Sequence, residues 1–426
     1  MRASAAVALL ILASSLSFGG SYAPLLMFRD AGAMGMGNAF EAAGSGVSSA
    51  HYNPASLAGI DKSQFELLLF RSRASLDLIS ELREIDDLTD NARDLLRSDD
   101  PLGDETLEPQ RRYLVDRLER IMEEQLAGFL EIPSLAAAFP FKIGGVKAVL
   151  GGSIYWQGYL SFHIERRGIR WADKIKDMID NPIVYNITSQ TVCLLSAATE
   201  IPLGSTRLQL GISVRRISRS VFSDEDDPMT IEDVLNPYGP DGVPNTADDF
   251  KNRYFDYEEE DKLKLIRDAF ERWRGRNVDI GTALEPIDGL RIAWVMRNLL
   301  SKLEGPGGSS KRIPRNNVFS IALKPLQLLR IRYDLLDLTL GLSYDNPNGD
   351  DALGRFKNNA LSDHIHLGIE AVLLPGRGFS VAGRLGNNQG YPTIGISAKI
   401  GGLVLDLARY GDLRTDWNVL SVKAIF

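Results

Sequence analysis

The chain is 426 residues long, with 44% apolar, 8% aromatic and 24% charged residues. Its mean hydropathy of −0.10 excludes a bundle of membrane-spanning helices, but not a barrel, whose strands alternate lipid-facing and lumen-facing side chains. A net charge of −8 and a pI near 5.3 argue against nucleic acid as a partner, since phosphate binding needs a basic footprint.

At the N-terminus, Arg2 precedes the apolar run AAVALLILASSLSF and the small residues Gly19, Gly20, Ser21 and Ala23. This is the plan of a secretory signal peptide, expected over residues 1–21, and it implies export. The run is shorter than the roughly 20 residues of a spanning helix. The single cysteine, Cys193, cannot form an internal disulfide and says nothing of the compartment.

Residues 22–60 come next, and Gly32 to Ile60 is small, apolar and almost uncharged. Its glycines, among them Gly35 and Gly37, suit close backbone approach and tight turns. Asn53-Pro54 reads as a turn, because proline biases the residue before it away from helix. The order Gly35-x-Gly37-x-Ala39, a run of small residues, then Asn53-Pro54-Ala55 and Leu57 resembles the N-terminal signature of FadL-type long-chain fatty-acid transporters and of the related TraF-like and PorV-like outer-membrane proteins. The resemblance implies a hatch over residues 22–60, with Gly35, Gly37, Asn53, Pro54 and Ala55 as its marker residues. It also implies a surrounding transmembrane antiparallel β-barrel of about fourteen strands.

The barrel is expected over residues 61–426. Strands are predicted at Gln64 to Leu76, Pro133 to Lys142, Val146 to Ile164, Tyr185 to Ile201 and Arg207 to Arg219. In the last of these Leu208, Leu210, Ile212 and Val214 alternate with Arg207, Gln209, Ser213 and Arg215, the two-faced pattern that suits lipid outside and water inside. Strands follow at Val278 to Pro286 and Leu290 to Leu300 around Asp288-Gly289, a strong hairpin signal. The final third reads Asn317 to Lys324, Leu328 to Leu340, His364 to Leu373, Phe379 to Gly386, Thr393 to Ile400, Leu403 to Tyr410 and Trp417 to Phe426. Two charged, helix-patterned insertions interrupt this series at about 79–130 and 223–276. A terminal Phe426 closing an alternating strand resembles the recognition signal of outer-membrane barrels, and Trp417 and Tyr410 are expected in an interfacial girdle. From His364 onward the hairpins resemble TraF-like and PorV-like proteins more than the transporters proper.

If the apolar set of each strand faces lipid, the lumen receives Arg207, Arg215, Arg291, Arg297, Arg330, Arg332, Asp334, His366, Glu370, Arg384, Lys399, Asp406 and Lys423. An arginine among them suits the carboxylate of an amphipathic ligand through bidentate bonds; mutual pairing and lumen hydration is the alternative. His364, His366 and Glu370 share one strand face, but no third metal ligand is assignable. Asp241, Asn245, Asp248 and Asp249 surround a glycine in an oxygen-rich loop, a weak calcium candidate without the EF-hand register. No nucleophile elbow, P-loop, HExxH or cysteine pair occurs, and neither catalysis nor a cofactor is expected.

The expected function is uptake or passage of hydrophobic small molecules, such as long-chain fatty acids, across the outer membrane of a diderm bacterium. The expected partners are outer-membrane lipid and a hydrophobic or amphipathic ligand, with no nucleic acid. The alternatives are a non-transporting barrel that holds a secreted or surface protein, as PorV-like proteins do, through its helical insertions, and a soluble secreted β-protein.

Overall fold

A computed structural model describes residues 30–75, 126–164, 183–222, 270–313, 315–331, 333–348, 364–375, 378–412 and 415–426. The expected signal peptide, most of both expected insertions, the calcium candidates and Arg332 lie outside the described residues.

Among the described residues sixteen strands follow the N-terminal segment in chain order. They are β1 (Gln64–Ser75), β2 (Leu126–Ile143), β3 (Val146–Ile164), β4 (Ile183–Leu203), β5 (Thr206–Phe222), β6 (Phe270–Ile287), β7 (Leu290–Arg297) and β8 (Lys302–Glu304). The series continues with β9 (Ser310–Lys311), β10 (Arg315–Leu323), β11 (Leu336–Asn348), β12 (Ile365–Leu373), β13 (Phe379–Asn388), β14 (Tyr391–Ile400), β15 (Leu403–Asp412) and β16 (Thr415–Ile425). Fourteen of them form a closed antiparallel circuit, because β1 pairs with β16 as well as β2, and β5 pairs with β6. The two short strands β8 and β9 extend the wall beyond β7, with β8 pairing on β6. Closure leaves no unpaired edge in the main ladder, which is how a large antiparallel sheet avoids templating other chains.

One end of the barrel carries short connections, such as Gly144-Gly145 and Asp288-Gly289. Those glycines have positive φ, which tight hairpins require. The chain end sits here too, where Phe65 and Phe426 exchange two backbone hydrogen bonds of 3.0 and 2.8 Å. The long connections between β1 and β2, β3 and β4, and β5 and β6 lie at the other end.

Strand alternation separates the two faces. Leu210, Ile212, Val214, Leu342, Leu367, Leu385, Ile394, Ile396 and Leu405 are exposed on the outside, while Gln209, Ser213, Arg215, Ser343, His366, Ser397 and Asp406 are buried on the inside. An apolar outer belt and a polar interior invert the arrangement of a water-soluble barrel.

Several expected boundaries shift. Residues 126–130 and 270–276 are strand rather than helical insertion. In the second case Trp273 turns in and Arg272, Arg274 and Arg276 turn out, so a period of two hides inside what reads as a charged helix. The expected strand Leu328 to Leu340 begins only at Leu336, because Pro325–Leu328 is a helical turn and Arg330 adopts φ 55°. Tyr410 and Trp417 are buried on the inside rather than set in an outer girdle. Their strand phase matches that of Asp406 and Val419, which face inward.

Candidate functional site

The site is the lumen around residues 30–60, almost every one of which is buried. The segment folds as a short helix at Ala31–Gly35 and 3-10 turns at Val47–His51 and Pro54–Gly59. Asp30 caps the first by accepting a 2.8 Å bond from Gly32 N. Asn53 caps the last, accepting 2.9 Å from Ala55 N, with Pro54 at the first position where a missing N–H costs nothing.

Glycines in the wall let this backbone approach closely. Gly341, Gly368 and Gly386 stand opposite one another across β11, β12 and β13. A Cβ on them would lie 2.6 Å from Ala39 O, 2.4 Å from Met36 O and 2.5 Å from Gly37 N respectively. Gly211 and Gly281 are likewise paired across β5 and β6. There a Cβ would meet Ala55 N at 2.3 Å and Asn53 Oδ1 at 2.0 Å. The two small-residue motifs therefore rest directly on two glycine tracks. Apolar contacts fill between them: Leu57 with Val149 and Leu194, Ala55 with Ala283 and Ala293, and Met34 with Tyr410 and Trp417.

Two acids tie the segment electrostatically. Asp30 lies 2.9 Å from Lys423 and 3.6 Å from Arg71, which also pairs with Glu131 at 2.6 Å. Glu41 pairs with Arg297 at 2.6 Å and accepts 2.7 Å from Ser343 Oγ. Burial opposes ionisation of Asp30, yet Lys423 and Arg71 hold its carboxyl below the ordinary range. His51, whose Nε2 is 3.0 Å from Ser153 Oγ, is kept neutral by burial and then by the Arg215 charge, so its pKa falls well below the usual value.

The expected marker residues all sit in this seat: Thr393 donates to Gly35 O at 3.1 Å, and Asn53 donates to Thr282 O at 3.3 Å. Gly37 has φ 61° and its carbonyl lies 3.0 Å from His366 Nδ1. Of the expected lumen residues, Arg215 bonds the His51 carbonyl at 3.0 Å and Asp279 at 2.6 Å. Arg291 donates to Ser56 Oγ at 3.2 Å and Gln209 at 2.7 Å. Arg384 pairs with Glu370 at 2.6 Å, and Arg207 with Glu285 at 2.5 Å. Arg330 and Asp334 are exposed in the connection before β11 and do not join the lumen. His364 and His366 flank Asp345 at 3.6 Å each, while Glu370 is taken by Arg384. No cluster able to hold a metal occurs among the described residues.

Sequence reasoning missed Asp30 and Glu41. Their signal was present: they are the only acids between positions 30 and 60. It also missed the wall glycines, whose inward phase marks close backbone approach.

No protein-family model matches the chain, and no curated protein sequence does. Among solved structures it is similar to the Ralstonia pickettii toluene transporter TbuX, with TM-score 0.47 and 10% identity over 94% of this chain and 98% of that one. It is similar also to the Pseudomonas putida toluene transporter TodX, with TM-score 0.40 and 9% identity over 96% and 98%. A third is the translocator domain of the autotransporter NalP from Neisseria meningitidis, with TM-score 0.38 and 10% identity over 87% and 90%.

Proposed function

We propose that the barrel spans the outer membrane of a diderm bacterium and that residues 22–60 form a hatch in its lumen, controlling uptake or passage of hydrophobic small molecules such as long-chain fatty acids. The observation that carries this reading is the pairing of an apolar outer belt with a lumen crossed by a buried segment. An open pore needs no such segment, and a soluble barrel needs no such belt. Proteoliposomes holding the purified protein, loaded with radiolabelled oleate, test it. Saturable flux that changes when residues 30–60 are deleted supports the reading; flux equal to protein-free vesicles in both proteins rules out transport.

A second reading, a barrel that holds a protein partner, is favoured by the charged lumen residues being paired with one another rather than left for a ligand. In-cell crosslinking separates the two, since a dominant protein adduct supports holding and a lipid adduct supports passage.

A further inference from the structure

Above the apolar belt, the outer face of β5, β6 and β8 changes from aliphatic to basic. On β5, Leu210, Ile212 and Val214 are followed at the same phase by Arg216; on β6, Val278 gives way to Arg276, Arg274 and Arg272. All four arginines are exposed. Arg216 stands directly opposite Arg276, and Arg276 directly opposite Lys302. With strands about 4.8 Å apart, this row sets three cations across roughly 10 Å. Arg274 faces Glu304, but that carboxylate is bound at 2.5 Å by Lys302. Among the described residues Arg216, Arg272 and Arg274 have no ion-pair partner.

Like charges directly opposite one another destabilise a sheet, and Glu304 answers Lys302, so a further anion is the counterpart that Arg216 and Arg276 require. Its position narrows the choice. The patch borders the belt that would contact acyl chains, and it lies at the end where β5 and β6 have their long connection. In bacterial barrels that end faces outward. Several guanidinium groups on one face suit phosphate oxygens through bidentate, charge-assisted bonds.

We propose that this patch binds the phosphate groups of an outer-leaflet glycolipid headgroup, with the lipid's acyl chains lying along Leu210, Ile212 and Val214. The inference rests on the reading that the barrel spans the outer membrane. Each arginine beside an anionic headgroup contributes about a fivefold gain in retention.

The test uses the full chain, after export, in phosphatidylcholine nanodiscs, with bound lipid counted by native mass spectrometry. Diphosphorylated lipid A is expected to remain bound where its dephosphorylated form does not. The variant R272Q/R274Q/R276Q is expected to weaken retention on the order of 100-fold, and R216Q on a separate strand about fivefold. Equal retention of dephosphorylated lipid, or both variants binding like the parent, overturns the proposal. So does full displacement by inorganic pyrophosphate at the lipid's own concentration, which assigns the patch to free phosphate. A parent protein that fails to enter discs at all overturns the membrane-spanning reading itself, whereas one that enters and ignores phosphate overturns only the patch.

Discussion

The ion pair between Glu41 and Arg297 joins the N-terminal segment to the wall, and its removal has a calculable consequence. Both side chains are buried, at 5% and 9% exposure, and Arg297 also donates to the Tyr52 carbonyl at 3.0 Å. Substituting Glu41→Gln keeps the volume but leaves a buried guanidinium with that one carbonyl from the segment. Breaking one partner of a buried pair costs about 3–5 kcal/mol, whereas replacing both with groups of similar volume costs far less. A loss of about 3 kcal/mol corresponds to roughly 150-fold faster amide exchange in residues that open together. Hydrogen exchange of residues 31–59 in detergent micelles is the assay, with thermal unfolding of the barrel as the control for global loss. The expected pattern is fast exchange in Glu41→Gln and in Arg297→Met, and partial recovery in the double variant by about 2 kcal/mol of coupling. Single variants that exchange within about twofold of the parent, or effects that simply add, would refute the claim that this pair holds the segment.

Two further predictions follow from the same seat. Gly281→Val places a Cβ 2.0 Å from Asn53 Oδ1 and 2.9 Å from Pro54 Cδ, so the segment must move or the wall must bend, at a cost of about 1–3 kcal/mol. Gly383→Ala, which meets nothing within 4 Å, is the neutral comparison, and equal thermal midpoints for the two variants would count against direct backbone seating. For His51, burial and Arg215 lower the folded pKa, so the stability it contributes is present above about pH 6.5 and is lost as pH falls from there toward the folded value. The thermal midpoint should therefore decline on acidification from about pH 6.5 to pH 5, and His51→Gln should flatten that decline; an unchanged slope in the variant contradicts it.

The barrel was legible because a period of two survives in each strand wherever an aliphatic outer face meets a polar inner one, as in Leu208 to Arg215. It failed where the outer face stops being aliphatic. Phe270 to Arg276 is strand, but its outward positions are arginines, so hydropathy loses the alternation and charge density reads as helix. The acidic balance of the whole chain concealed the same patch, since a net charge says nothing of which face holds the cations. Tyr410 and Trp417 failed differently: residue type suggested an interface, while phase, readable from Asp406 and Val419, already placed them inside. The seat was legible only in half. Small residues in the segment announced close approach, but the matching glycines belong to strands distant in sequence, and their register emerges only once the sheet closes.

That register restricts how residues 30–60 can move against the wall. The helix at Ala31–Gly35 touches β14 and β15, residues 36–39 lie on the glycines of β11 to β13, and Pro54–Gly59 lies against β4 and β5. β4 and β5 stand across the circuit from the adjoining strands β11 to β15. A sideways rigid shift that relieves one glycine track drives backbone into another, and packed backbone yields far less than side chains do. Asp30 and Glu41 tie the first half of the segment through ion pairs, and the second half joins the apolar contacts of Leu57, Ala58 and Ile60 to bonds from Arg215 and Arg291. Between the halves runs Gly44 to Gly46, where Ser45 is exposed and Gly46 holds φ 82°. Moving either half away from the wall therefore breaks buried polar bonds and exposes apolar surface together.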